Sequence, residues 1–199
     1  YKYIQVVLPV ELTAETTRTW DFTSSSEFTD AASADYSYST ETKVNNLAIG
    51  GGATLTNSDQ RLKLNNANGY VKIKVAEHSQ ITVSAVGGSG RNVTFKENNA
   101  SGTTLGTVSC TNGTPAEDKV LSDTGEGEKI IYIYNSAGGN ITLYNIAVVP
   151  YTASAPTEVT ITPASPTVNI GATGTLTASA NGAPTPTITW YQCNDAEKT

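Results

Sequence analysis

The chain has no methionine and a single histidine, His78, in 199 residues. One histidine leaves little room for a nucleophilic triad, which needs a base oriented by a carboxylate with a nucleophile in reach. No serine lies in a Gly-x-Ser-x-Gly context, and His78 sits in the turn 76–79 between two strand-like runs, where it reads as a solvent-exposed turn residue. The two cysteines, Cys110 and Cys193, are far apart. No Cys-x-x-Cys spacing or Cys/His cluster accompanies them, which argues against zinc, while a disulfide between them would require an oxidising compartment. No apolar run approaches the roughly 20 residues of a membrane-spanning helix. With 12 Lys and Arg against 18 Asp and Glu the net charge is −6, and the basic footprint of a nucleic-acid binder is missing. The missing methionine marks a processed chain or a piece of a longer one.

Charged residues are only 15% and aromatics 8%, while Thr, Ser, Asn and Gly are plentiful. That composition suits a secreted or cell-surface β-protein rich in turns. The hydrophobic share, 38%, is enough for a sandwich in which alternate residues face inward. Strand-like runs recur at 3–10, 19–22, 44–49, 53–56, 61–64, 70–75, 80–86, 92–96, 104–110, 119–121, 130–135 and 141–149. Between them lie clusters such as Gly50-Gly51-Gly52, Asn57-Ser58-Asp59 and Gly87-Gly88-Ser89-Gly90, whose residues tolerate the dihedrals that tight turns require. These glycines join strand to strand, without the helix N-terminus that a phosphate cradle needs. No segment shows helical periodicity. The fold class is therefore all-β, an antiparallel β-sandwich of jelly-roll type.

Trp20 and Phe22 alternate on one face and should fill one end of the core. Residues 23–42, polar and aperiodic, read as a long surface loop holding Tyr36 and Tyr38. The stretch 128–151 reads as the closing hairpin, with its turn at Ala137-Gly138. That register sets Tyr132 opposite Leu143 and Tyr134 opposite Ile141. Both tyrosines then have two readings: rings in the core with hydroxyls at its rim, or a sugar-stacking strip.

The run 61–75 carries the most informative charge pattern. Leu62, Leu64, Val71 and Ile73 alternate with Arg61, Lys63, Lys72 and Lys74. Read as a hairpin with a four-residue turn at 66–69, it places Lys63 opposite Lys72 and Arg61 opposite Lys74, with Tyr70 on the same outer face. Like charges directly opposite are destabilising. Such a face is either a lysine-guarded sheet surface or a platform for an anion, and an acidic polysaccharide, its uronate carboxylates between the cations, is the natural candidate. Carboxylates gather in or beside loops at Asp21, Glu27, Asp30, Asp35, Glu117, Asp118, Asp123 and Glu126. No cofactor is expected. Loop carboxylates of this kind solvate turns or hold a structural calcium, with no particular ligands singled out. Asn-x-Ser/Thr sequons at Asn92, Asn99, Asn112 and Asn140 matter only in a glycosylating host.

Composition changes after Tyr151, where five of the eight prolines fall. The expected organisation is a β-sandwich module over 1–151, a linker over 152–156 and an incomplete domain over 157–199. The last part has a strand, a Gly turn, the alternation Thr175-Leu176-Thr177-Ala178-Ser179, and Ala-Pro-Thr-Pro before Ile188-Thr189-Trp190-Tyr191. It resembles the first half of a bacterial immunoglobulin-like domain. The resemblance implies that Trp190 lies in a third strand against the core. It also implies that the usual inter-sheet disulfide is out of play, because Ala178 stands where disulfide-bearing members have a cysteine.

Three stretches carry a second resemblance: Thr19-Trp20-Asp21-Phe22, Gly69-Tyr70-Val71-Lys72-Ile73-Lys74-Val75 and Ile141-Thr142-Leu143-Tyr144-Asn145-Ile146-Ala147-Val148. With them, residues 19–151 resemble the non-catalytic β-sandwich modules of secreted bacterial polysaccharide-degrading proteins, especially those accompanying pectate lyases. The resemblance implies a carbohydrate-binding or spacer role, with a polysaccharide and the neighbouring domains of a longer parent chain as partners. An alternative from another class is a structural or adhesive surface module that makes chain-to-chain contacts in an array.

Overall fold

The structure is a computed structural model, and it describes residues 10–66, 68–88, 90–110, 116–151, 154–163, 167, 169, 171–183 and 188–190. The expected first strand, 3–10, lies almost wholly outside the described residues. The chain divides into two compact units, Tyr1–Tyr151 and Thr152–Thr199.

The first unit is an antiparallel β-sandwich, with no helix among the described residues. Its strands are β1 (Arg18–Asp21), β2 (Tyr36–Tyr38), β3 (Thr42–Val44), β4 (Leu47–Gly50), β5 (Ala53–Leu55), β6 (Leu62–Leu64), β7 (Tyr70–Val75), β8 (Ser79–Gly87), β9 (Asn92–Glu97), β10 (Thr104–Ser109), β11 (Glu117–Leu121), β12 (Lys129–Asn135) and β13 (Ile141–Pro150). The front sheet has the order β10-β9-β12-β7-β4-β3. The back sheet has the order β11-β8-β13-β6-β5-β2, and β1 also pairs with β13. From β6 to β9 the chain changes sheet at every connection, and again from β10 to β13, as in a jelly roll.

Strict alternation builds the core. In β7, Val71, Ile73 and Val75 are fully buried, and Tyr70, Lys72 and Lys74 between them are not. Ile81, Val83, Leu143, Ile146 and Val148 meet them from the back sheet. Trp20 and Phe22 are both fully buried, as the sequence indicates, and the Trp20 indole donates to the Asn45 carbonyl at 2.7 Å. Burial of so large a ring contributes several kcal/mol, and its one polar group is satisfied.

Four local expectations give way. The run 44–49 is two strands, split at Asn45 and Asn46, whose φ values of 49° and 64° make a two-residue hairpin turn. Residues 23–42 hold a strand, β2, rather than only loop. Tyr38 in it is buried, with its hydroxyl on Asp30 at 2.7 Å. Burial first, then that bond and the carboxylate charge, push the Tyr38 phenol far up.

Residues 61–75 are not a hairpin. β6 pairs with β5 and β13 in the back sheet, and β7 pairs with β4 and β12 in the front sheet. The connection arches across the core. Asn65 ties it down by donating to the Gly52 carbonyl at 2.7 Å and to Thr54 Oγ1 at 3.0 Å. Gly69 lets it close, since a Cβ there would sit 2.7 Å from the Asn65 nitrogen. The stretch 128–151 is a second arch, from β12 in front to β13 behind. Its anchor is the fully buried Asn135, which donates to Gly139 O at 2.8 Å and accepts from Ala137 N at 3.1 Å. A register shift between Leu143 and Asn145 leaves Tyr144 and Asn145 both outward and returns Ile146 and Val148 to the core.

In the second unit, β14 (Ser154–Thr162) pairs antiparallel with β15 (Thr177–Ala183). β14 thus takes in the last three residues of the expected linker. Trp190 lies outside any strand and is 54% exposed, so the packed third-strand position implied by the immunoglobulin-like resemblance is not observed. Cys110 is buried with a free thiol, and Cys193 lies outside the described residues.

Candidate functional site

The outward positions of the front sheet come together along β12. Registers place Tyr134 beside Tyr70 and Thr94, Tyr132 beside Lys72 and Lys96, and Ile130 beside Lys74. Side chains two apart on a strand share a face, so Ile130, Tyr132 and Tyr134 form a row with partners on both sides. The Tyr70 and Tyr132 ring centroids are 4.7 Å apart, and those of Tyr132 and Tyr134 are 5.2 Å apart, all tilted. Lys72 Nζ lies 5.2 Å from the Tyr70 ring, and Lys96 Nζ lies 6.0 Å from the Tyr134 ring. Tyr132 is the floor of this ridge at only 6% exposure, and Tyr70 and Tyr134 flank it half-buried. Burial, with Tyr134 and the Glu41 charge nearby, pushes the Tyr132 phenol up to about 12.

Two residues hold the ridge in place. Gly50 pairs with Tyr70 across the strands, and a Cβ on it would come within 2.5 Å of the Tyr70 oxygen and 2.7 Å of its Cζ. The missing side chain is what lets the ring lie flat over β4. Glu41 then accepts from Tyr70 Oη at 2.7 Å and from Lys72 Nζ at 2.5 Å. Burial works to raise the Glu41 carboxyl, but the hydrogen bonds from Lys72 and Tyr70 and the Lys72 charge outweigh it and hold it below the usual range. The Tyr70 phenol moves up, from burial first and its bond to Glu41 second.

The four cations of 61–74 do not form one platform. Lys72 and Lys74 are on the front face, each paired: Lys72 with Glu41, and Lys74 with Glu128 at 2.7 Å. Lys63 is on the back face, opposite Thr54 and Thr142. Arg61 is on the back sheet too, its guanidinium 4.0 Å from the Tyr144 ring centroid and donating to the carbonyls of Asp59 and Gln60. The expected Lys63–Lys72 and Arg61–Lys74 juxtapositions do not exist, because alternation sets which side chains point inward but not which sheet a strand joins. Likewise Tyr132 and Tyr134 face Lys72 and Tyr70, not Leu143 and Ile141. The structure therefore brings together Tyr70, Lys72, Lys74, Tyr132 and Tyr134, and separates Arg61 and Lys63 from them.

Beyond Ile130 the face opens into a depression of about 530 Å³, lined by Lys74, Glu97, Asn98, Glu128, Lys129 and Ile130. Glu97 lies 4.0 Å from Lys129. The sequence reading missed Glu41, Gly50, Lys96, Glu97 and Glu128. Glu41 is 29 residues from Tyr70, in a stretch without periodicity, and no local signal joins them. Lys96 alternates with Phe95 in an expected strand and could have been found had β9 been placed beside β12.

His78 is more engaged than an open turn residue. Its Nδ1 lies 3.2 Å from Asp123 and its Nε2 3.7 Å from Glu126, and its backbone bonds Gly125 and Tyr151. The bond to Asp123, then the charges of Asp123 and Glu126, outweigh burial and raise the imidazole pKa. Most of the loop carboxylates have partners within the fold. Asp21 binds Thr23, Asp35 binds the Asn57 amide, and Glu117 pairs with Lys119. No group of three or more His, Cys, Asp or Glu side chains among the described residues is placed to hold a metal ion.

No protein-family model matches the chain, and no curated protein matches it. Among solved structures, it is similar to a family 6 carbohydrate-binding module from Clostridium stercorarium in complex with cellobiose, at 15% identity and a TM-score of 0.38, over 59% of this chain and 93% of that one. A family 36 module in complex with calcium and xylotriose is similar at 16% identity and TM-score 0.41, over 58% and 98%. A module of Cellvibrio mixtus lichenase 5A in complex with cellotriose is similar at 15% and 0.38, over 60% and 98%. No residue role passes from them to this chain.

Proposed function

We propose that the first unit is a non-catalytic glycan-binding module of a secreted or cell-surface protein, with its ligand lying along β12. The observation that carries this reading is the tyrosine ridge on the solvent side of the front sheet. Large rings at outward positions contribute little to a sandwich core, whereas an aromatic face suits the C–H face of a pyranose and tilted rings suit a kinked sugar chain. Lys72, Lys96 and Glu41 beside the rings supply donors and acceptors for sugar hydroxyls. Gly50 and Glu41 fix the ring positions beforehand, so little ordering remains for binding to do.

Electrophoresis through gels containing xylan, β-glucan or polygalacturonate tests the proposal. At least one glycan should retard the chain, and Tyr134→Ala should remove most of the retardation. Unchanged migration in every gel would sink the reading.

A further inference from the structure

We infer that the depression beyond Ile130 continues the tyrosine ridge as a polar contact region of the same site, and that this site takes a neutral, hydroxyl-rich glycan in preference to a polyuronate. The inference rests on the glycan-binding reading above and deepens it.

Position is the first ground. Ile130 lines the depression and shares strand and face with Tyr132 and Tyr134. At about 3.4 Å per residue, Ile130 to Tyr134 spans about 14 Å, enough for a short oligosaccharide. The depression's volume, about 530 Å³, falls in the range of small-molecule sites.

Charge is the second ground. Glu128 sits 2.7 Å from Lys74, Glu97 sits 4.0 Å from Lys129, and Glu41 sits 2.5 Å from Lys72. Lys96 donates to the Ala100 carbonyl at 2.8 Å. An incoming uronate would therefore meet Glu41 and Glu128 on this face and Glu97 at the strand end beside the depression, and to gain a lysine it would have to displace one of these carboxylates or, for Lys96, the Ala100 carbonyl. A hydroxyl makes no such demand. It can accept from the ammonium and donate to the carboxylate of the same pair, leaving the pair intact. Alternating Lys and Glu with the Asn98 amide among them match a ligand whose groups both donate and accept.

Calorimetry on the full chain tests this with cellohexaose, xylohexaose, hexagalacturonate and the two neutral disaccharides cellobiose and xylobiose. A neutral hexasaccharide should bind, and hexagalacturonate should bind at least about tenfold more weakly. Glu97→Gln/Glu128→Gln removes two charged acceptors at exposed or half-exposed positions. It should weaken the neutral hexasaccharide about three- to tenfold, leave the corresponding disaccharide on the ridge unchanged, and strengthen hexagalacturonate. Tighter binding of hexagalacturonate by the unaltered chain would overturn the inference and leave glycan binding standing. So would a double variant that binds the neutral hexasaccharide as the unaltered chain does. Failure of every sugar to bind would bring down both readings.

Discussion

On the outer face of the front sheet, mid-strand positions carry Tyr70, Lys72, Tyr132, Tyr134 and Lys96; on the back sheet they carry Lys63, Thr82, Ser84 and Thr142. Both faces come from the same alternation, and both cover one core. The back face is what strand propensity and solubility alone require: a lysine and β-branched or small polar residues that fit a pleated surface. The large ring at Tyr144 on this face is covered by Arg61. On the front face, three rings lean on one another at positions that contribute little to the core, and a carboxylate and a glycine from elsewhere in the chain support them. The glycan-binding proposal rests on that contrast.

The comparison can be broken at its common base, at one face, or at the sandwich's rim. The largest effect should come from Trp20→Ala, which empties the core behind both faces and leaves the Asn45 carbonyl unpaired. It should lower stability by about 3–5 kcal/mol in denaturant titration. A loss below about 1 kcal/mol would mean that the end of the core does not depend on this ring. Next come matched deletions on the two faces. Tyr132→Ala should cost at least about tenfold in glycan affinity, or about 1.4 kcal/mol, while Tyr144→Ala leaves affinity unchanged. Equal losses would erase the distinction between the faces.

The smallest effect belongs to the rim. The His78 pKa is raised in the folded chain by Asp123 and Glu126, so protonated His78 favours the fold. That contribution is fully present below the unfolded value, about 6.5, and is lost as pH rises through the raised folded value. The melting temperature should therefore fall slightly across that interval, and His78→Asn, tolerated at the φ of 48°, should flatten the fall. An unaltered pH profile in the variant would show that the contact with Asp123 is not coupled to folding. The His78→Asn chain should bind glycan at the front-face site as the unaltered chain does.

Much of this architecture can be read from the amino-acid order, and the part that cannot has an identifiable cause. Runs such as 70–75, 80–86, 130–135 and 141–149 declare themselves because a strand with one buried face repeats every second residue. Trp20 and Phe22 declare themselves in the same way. The layer a strand joins leaves no such mark. Leu62 and Leu64 point inward whether β6 pairs with β7 or faces it across the core, and a short Asn- and Gly-rich connection serves either geometry. The Tyr144 bulge and the Asn45-Asn46 turn inside an apolar run are hidden for a related reason. Each inserts a local irregularity into a pattern that still looks periodic. The site was thus half legible. Tyr70, Lys72, Lys74, Tyr132 and Tyr134 do share a face, but through the pairing of β7 with β12 rather than through the two hairpins that seemed to present them.

The hollow at Gly50 has a further consequence. Tyr70 rests on an atom that is not there, and Glu41 and Lys72 take their positions from Tyr70. The arrangement at the surface is thus recorded partly as missing volume on a neighbouring strand. Position 50 touches neither Lys72 nor a sugar in any direct way, yet any side chain placed there would re-aim a ring, a carboxylate and an ammonium together. Positions 50 and 70 are thus a single choice: a large residue at one requires an empty place at the other.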